Sequence, residues 1–206
     1  MRYSAVPSTV TVSPPQSVAP ACPGQAEQVS ERLIAGAAGY PYDHHLARLI
    51  AAWWQGQSVL PRAMGLGPDD FAHLIQRHFP GWEASGPVPE PPALDPLLAD
   101  EQGDVADLIQ RYRAGIDRSE FWLAQIVAAG CLGRDHLWQD LGLPARSALS
   151  QLLADAFPTL VAHNERDMKW KKFLYKQLCE ETGIYTCRAP SCDACSDFAE
   201  CFGPEE

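Results

Sequence analysis

The sequence predicts an all-α protein: a helical bundle built from two related helical hairpins, with a cysteine-rich metal-cluster loop at its C-terminal end. Three observations predict it. Beyond residue 25 there is no run of alternating β-branched residues, so no stretch reads as a half-buried strand. Apolar side chains recur at three- and four-residue spacing between Gly, Pro and Asp or Asn punctuation, the pattern of amphipathic helices. Residues 46–66 also resemble residues 123–143 at a constant offset.

Taken in order, residues 1–25 are rich in Pro, Ser and Val and read as a disordered lead-in. A helix is expected from Ala26 to Ala38, with Val29, Leu33, Ile34 and Ala37 on one side, and Gly39-Tyr40-Pro41 breaks it. A second runs from Asp43, a plausible N-cap, to Gln55, and a third from Asp69 to His78 before Pro80. Residues 81–93 form a Pro/Gly linker. Further helices are expected at 95–113, 118–131, 145–156 and 165–181, the last with Asn164 as N-cap and Gly183 as its end. The helical domain thus covers 26–182, and 183–206 is the cysteine-rich loop.

The repetition organises that domain. Leu46, Ala47, Ala51, Ala52, Gly56, Leu60, Gly65 and Leu66 match Leu123, Ala124, Ala128, Ala129, Gly133, Leu137, Gly142 and Leu143. After one inserted residue, Leu74, Phe79 and Pro80 match Leu152, Phe157 and Pro158. Each copy, about 45–80 and 122–158, reads as helix, Gly break, short turn, Gly-Leu, and a helix closed by Phe-Pro.

Composition narrows the function. The 206 residues suit one domain, long enough to bury a core without disulfide staples. A net charge of -10 argues against general nucleic-acid binding, which needs a basic face, and against adsorption to anionic lipid. No apolar run approaches the roughly 20 residues of a membrane span. The N-terminus has no continuous apolar stretch of the secretion-signal kind, so a reducing cytoplasmic setting is expected. There, seven cysteines suit metal ligation or redox chemistry better than disulfides.

Four of those cysteines crowd the tail. Cys187, Cys192, Cys195 and Cys201 form a C-x4-C-x2-C-x5-C pattern within fifteen residues. Thiolates are soft donors that select iron–sulfur clusters, zinc or copper(I). A short loop with uneven spacings can wrap a cuboidal cluster, whose metal vertices need ligands from different directions. Structural zinc sites usually pair two knuckles across a longer stretch, which this tail lacks, yet zinc stays open on spacing alone. Cys22 lies in the lead-in, Cys131 reads as a core thiol, and Cys179 reads as a buried helix cysteine or an auxiliary ligand.

The helix leading into the tail is basic. Arg166, Lys169, Lys172 and Lys176 would share one stripe of a helix over 165–181, with Lys171 beside them. Such a stripe is either a solvated face or an electropositive lane that attracts an oxyanion or docks an acidic partner. Among six histidines, His163 is closest in sequence to this helix. The sequence displays no Ser/His/Asp arrangement, phosphate-binding Gly loop or carboxylate pair, so no independent catalytic site is expected.

From Leu141 onward the chain resembles the NifQ family, molybdenum-handling proteins of nitrogen-fixing bacteria. The residues that carry this are Phe157-Pro158, Asn164, the run Asp167-Met168-Lys169-Trp170-Lys171-Lys172-Phe173, Tyr175, Leu178-Cys179 and the complete cysteine pattern ending in Cys201-Phe202-Gly203. The resemblance implies an iron–sulfur cluster containing molybdenum, with Cys187, Cys192, Cys195 and Cys201 as its ligands. It implies a non-enzymatic carrier that takes molybdenum from molybdate and supplies it for iron–molybdenum cofactor assembly. The implied partners are the NifEN scaffold and the nitrogenase iron protein. A ferredoxin-like electron carrier and a zinc-stabilised helical interaction module are the alternatives.

Overall fold

The computed structural model describes residues 24–82, 96–183 and 198–205. Among these residues every regular element is helical. The helices are α1 (Gln25–Ala35), α2 (Asp43–Trp54), α3 (Pro68–His78), α4 (Pro96–Gln110), α5 (Ser119–Cys131), α6 (Leu137–Asp140), α7 (Arg146–Ala156), α8 (Pro158–His163), α9 (Trp170–Thr182) and α10 (Phe198–Phe202). A 3-10 turn, Arg62–Gly65, precedes α3. The predicted lead-in up to residue 23, most of the predicted linker, and the stretch with Cys187, Cys192 and Cys195 lie outside the described residues. None of the described helices is long and apolar enough to cross a membrane.

The core lies between α2 and α5. Leu46, Leu49 and Ile50 from one, and Leu123, Ile126 and Val127 from the other, are fully buried. The small residues Ala47, Ala51, Ala124 and Ala128 are buried with them. Helix α1 packs on α2, α4 packs on α5, and α9 packs on α4. Phe173 and Leu174 of α9 are buried, and the Tyr175 hydroxyl donates to Glu101 of α4.

The backbone repeats its geometry at the offset the sequence repeats. Phe79 and Phe157, each ahead of a proline, have φ/ψ of -135/59 and -138/57. Each donates its N–H four residues back, to Ile75 and to Leu153. Ala38 donates to the carbonyl of His78 at 2.9 Å, and Ala114 to that of Ala156 at 2.9 Å. Gly65 and Gly142 both hold positive φ, at 81 and 70. A Cβ on Gly65 would lie 2.6 Å from Cβ of Ala129, and a Cβ on Gly142 would lie 2.6 Å from Cβ of Ala52. The contacts are reciprocal, because Ala52 and Ala129 are themselves a matched pair.

Polar groups join the two halves. Tyr42 donates to Glu120 at 2.9 Å, and His45 lies 2.8 Å from Asp155. Contrary to the sequence reading, Asp43, His78 and Ser119 stand in series. His78 Nδ1 is 2.5 Å from Asp43 and Nε2 is 2.7 Å from Ser119, whose Oγ sits 2.5 Å from Asp117. Sequence could not reveal it, since three helices contribute one residue each. His78 and Ser119 are wholly buried, so this hydroxyl faces no substrate space, and the series ties α2, α3 and α5 together.

Three element boundaries depart from expectation. Asp43 is the first residue of α2 instead of its cap, although its carboxylate still accepts the Gly39 N–H at 2.9 Å. Pro158, read as a stop, opens α8, because a proline at the first helical position lacks only an N–H that would be unbonded anyway. Helix α9 begins at Trp170 and not at residue 165.

Candidate metal centre

The late start of α9 reshapes the basic segment. Asn164 does not cap a helix at 165. Its Oδ1 accepts the Met168 N–H and its Nδ2 donates to the Met168 carbonyl, both at 2.9 Å, which closes residues 164–168 into a turn. Asp167 takes φ 53 inside that turn, a left-handed conformation that Asp tolerates better than most residues. Arg146 secures it with two guanidinium bonds to the carboxylate, at 2.7 and 2.8 Å. The same guanidinium holds the Asp167 carboxyl below the usual carboxylate range.

The predicted single stripe of Arg166, Lys169, Lys172 and Lys176 is therefore broken. Arg166 lies in the turn and Lys169 is the N-cap of α9, so only Lys172 and Lys176 are on the helix proper. Lys176 pairs with Glu180 at 3.4 Å, one turn on. Lys171 turns inward to the buried carboxylate of Asp140. Arg166 lies over the rings of Phe198 and Phe202, 5.7 and 5.1 Å from their centroids.

Those rings belong to α10, which carries Cys201. Phe198 and Phe202 stack at 4.4 Å, one turn apart. The carbonyl of Cys201 accepts the Lys169 N–H at 2.8 Å, so the last cysteine is tied by its backbone to the mouth of α9. Glu205 completes the attachment: its carboxylate is 3.3 Å from Arg146 Nε and 3.9 Å from His136 Nδ1, with its side chain only 3% exposed. Cys201 is half-buried.

A cleft of about 490 Å³ opens where these elements meet. Arg134, His136, Lys169 and Lys172 line it, with Glu200 and Glu205 on the α10 side. Arg134 and His136 come from the turn between α5 and α6 and were not singled out from sequence. No local signal could have found them, since they lie more than thirty residues before Lys169 and meet it only in the fold.

The remaining candidates sort clearly. Cys131 is buried in the core and its thiol is pushed up to about 12 by burial, so it is a packing residue. Cys179 is half-buried on the last turns of α9. His163 stacks edge-on against Tyr112 at 5.1 Å. Of the four tail cysteines, Cys201 alone falls within the described residues.

The sequence profile of the NifQ family matches residues 45–203. Protein NifQ of Azotobacter vinelandii is 42% identical over 172 residues, covering 78% of this chain and 87% of that protein. Protein NifQ of Rhodobacter capsulatus is 40% identical over 151 residues, covering 73% and 81%. Protein NifQ of Klebsiella pneumoniae is 37% identical over 169 residues, covering 76% and 96%. No solved structure matches the chain. With the profile matching residues 45–203 and these three relatives covered over 81% to 96% of their length, this chain belongs to the NifQ family.

Proposed function

We propose that the chain carries an iron–sulfur cluster containing molybdenum on Cys187, Cys192, Cys195 and Cys201, and supplies molybdenum for assembly of the iron–molybdenum cofactor in nitrogen fixation. On this reading it is a cytoplasmic carrier without enzymatic activity of its own, and its recipients are the NifEN scaffold and the nitrogenase iron protein. Four thiolates form a uniformly soft donor set, which suits a sulfide cluster better than hard oxygen-loving cations. The observation that carries the reading furthest is the position of Cys201. Its backbone is bonded to Lys169, at the edge of a cleft lined by Arg134, His136 and Lys172.

Molybdate is a tetrahedral dianion. The basic side chains of Arg134, Lys169 and Lys172, set in the cleft with Asp135, Glu200 and Glu205, would attract it beside Cys201 even though the chain as a whole is acidic. The molybdenum cargo would exchange oxygen for sulfide ligands there, and leave by ligand exchange with a partner. The short α10 holds Cys201, the last residue of the cysteine pattern. We also read the body as two related helical hairpins, on the strength of the matched Phe-Pro and Gly geometries.

The ligand assignment is tested with Cys195→Ala, purified anaerobically. The expected outcome is loss of the cluster's paramagnetic signal and of its visible absorbance, with helical content unchanged by circular dichroism. Full retention of the cluster signal would refute the assignment.

A further inference from the structure

A second constellation of ligand-type side chains comes from α2 and α7, helices that carry none of the tail cysteines. His44 and His45 are consecutive at the start of α2, and Asp155 is near the end of α7. Consecutive helical residues normally diverge by about 100° around the axis. Here both Nε2 atoms converge on one carboxylate oxygen: His45 at 2.8 Å and His44 at 3.9 Å from Asp155 Oδ2. Their rings lie 3.8 Å apart. One ligand atom from each of the three residues falls within a 4.8 Å span. We propose that His44, His45 and Asp155 bind a first-row divalent cation, at a site built from none of the tail cysteines.

The donor set is two imidazoles and one carboxylate, the combination that takes zinc, nickel, cobalt or ferrous iron and leaves positions open for water or a further ligand. Around a tetrahedral metal, ligand atoms stand about 3.3 Å apart. Reaching that spacing needs His45 and Asp155, 2.8 Å apart, to part by about 0.5 Å and His44, whose side chain is 53% exposed, to swing in from 3.9 Å by a rotamer change. The other two are already held. His45 is buried, and Asp155 is oriented by Gln151, which donates to its second oxygen, Oδ1, at 2.7 Å. Metal binding at His45 Nε2 replaces its hydrogen bond to Asp155 and places the ring proton on Nδ1. Because His45 and Asp155 lie 110 residues apart in sequence, a metal shared between α2 and α7 clamps the fold and stabilises it by mass action.

The test uses the full chain with Cys187, Cys192, Cys195 and Cys201 all replaced by Ser, so that thiolates do not compete. Co2+ is titrated at pH 7.5 and followed by its visible bands and by calorimetry. The expected result is one equivalent bound, without thiolate charge-transfer absorbance, and a melting temperature that rises with Co2+. His44→Ala and Asp155→Asn should each weaken binding at least tenfold and abolish the rise in melting temperature. His44 is exposed and the Asn is isosteric, so both variants should fold. An affinity unchanged in either variant, or no saturable binding up to about 1 mM Co2+, overturns the proposal.

Discussion

Gly142 packs where no side chain fits. Its φ of 70 suits glycine, and a Cβ there would also meet the Gln57 carbonyl oxygen at 2.8 Å. Neither neighbour can yield, because one is backbone and the other is a methyl fixed to α2. Gly142→Ala should cost about 2 kcal/mol, from left-handed strain plus displaced packing. Urea denaturation checks it, with an unchanged midpoint as the contrary result. The same glycine was legible in sequence only as a matched position in the repeat. Its partner, Ala52, was matched to Ala129 as well, but the reciprocal contact between the four residues needed coordinates. Asn164 shows the opposite case. Its identity suggested a helix cap, yet its side chain satisfies both backbone groups of Met168, and Arg146 from α7 holds the turn in place. Local propensity cannot register a clamp that arrives from twenty-one residues upstream.

At the level of elements, α10 and the turn before α9 are held by one side chain. Arg146 bonds Asp167 in the turn and reaches Glu205 beyond α10. Charge-assisted bonds of this kind are stronger than neutral ones. Arg146→Ala should therefore loosen residues 164–169 and 198–205 while leaving α2 and α5 untouched. Hydrogen exchange should quicken about tenfold in those two segments, the factor equivalent to about 1.4 kcal/mol of local stability. Unchanged protection there would remove Arg146 from this role. The helices themselves were largely legible, because Gly breaks and Phe-Pro closures punctuate a clear helical period. The short α6, α8 and α10 were not, since helices of four to six residues carry too little periodicity and owe their existence to packing.

Across the whole molecule, buried histidines couple stability to pH. Desolvation lowers the pKa of both His45 and His78 from the ordinary value of 6.5. Their folded forms are neutral where the unfolded chain would bind protons. Stability from these groups is complete above pH 6.5 and is lost as pH falls below it. The denaturation midpoint should drop between pH 7 and pH 5.5, before the carboxylates of Asp117, Glu120 and Asp155, all held low, begin to titrate. In His78→Gln that drop should be smaller, and an identical drop would contradict the assignment. The acidic chain as a whole also made the basic segment conspicuous in sequence, but its geometry was misjudged. Arg166 sits over aromatic rings, Lys171 faces a buried Asp140, and the cleft beside Cys201 draws on Arg134 and His136 from elsewhere.

The central claim is that four thiolates hold a molybdenum-bearing cluster as cargo. The most direct measurement is iron, acid-labile sulfide and molybdenum content of the anaerobically purified wild-type chain, taken together with its paramagnetic resonance spectrum. All three elements are expected in one species, together with a cluster signal. Zinc alone, without sulfur-to-iron absorbance, or an iron–sulfur cluster with a reversible one-electron signal and no molybdenum, would contradict it.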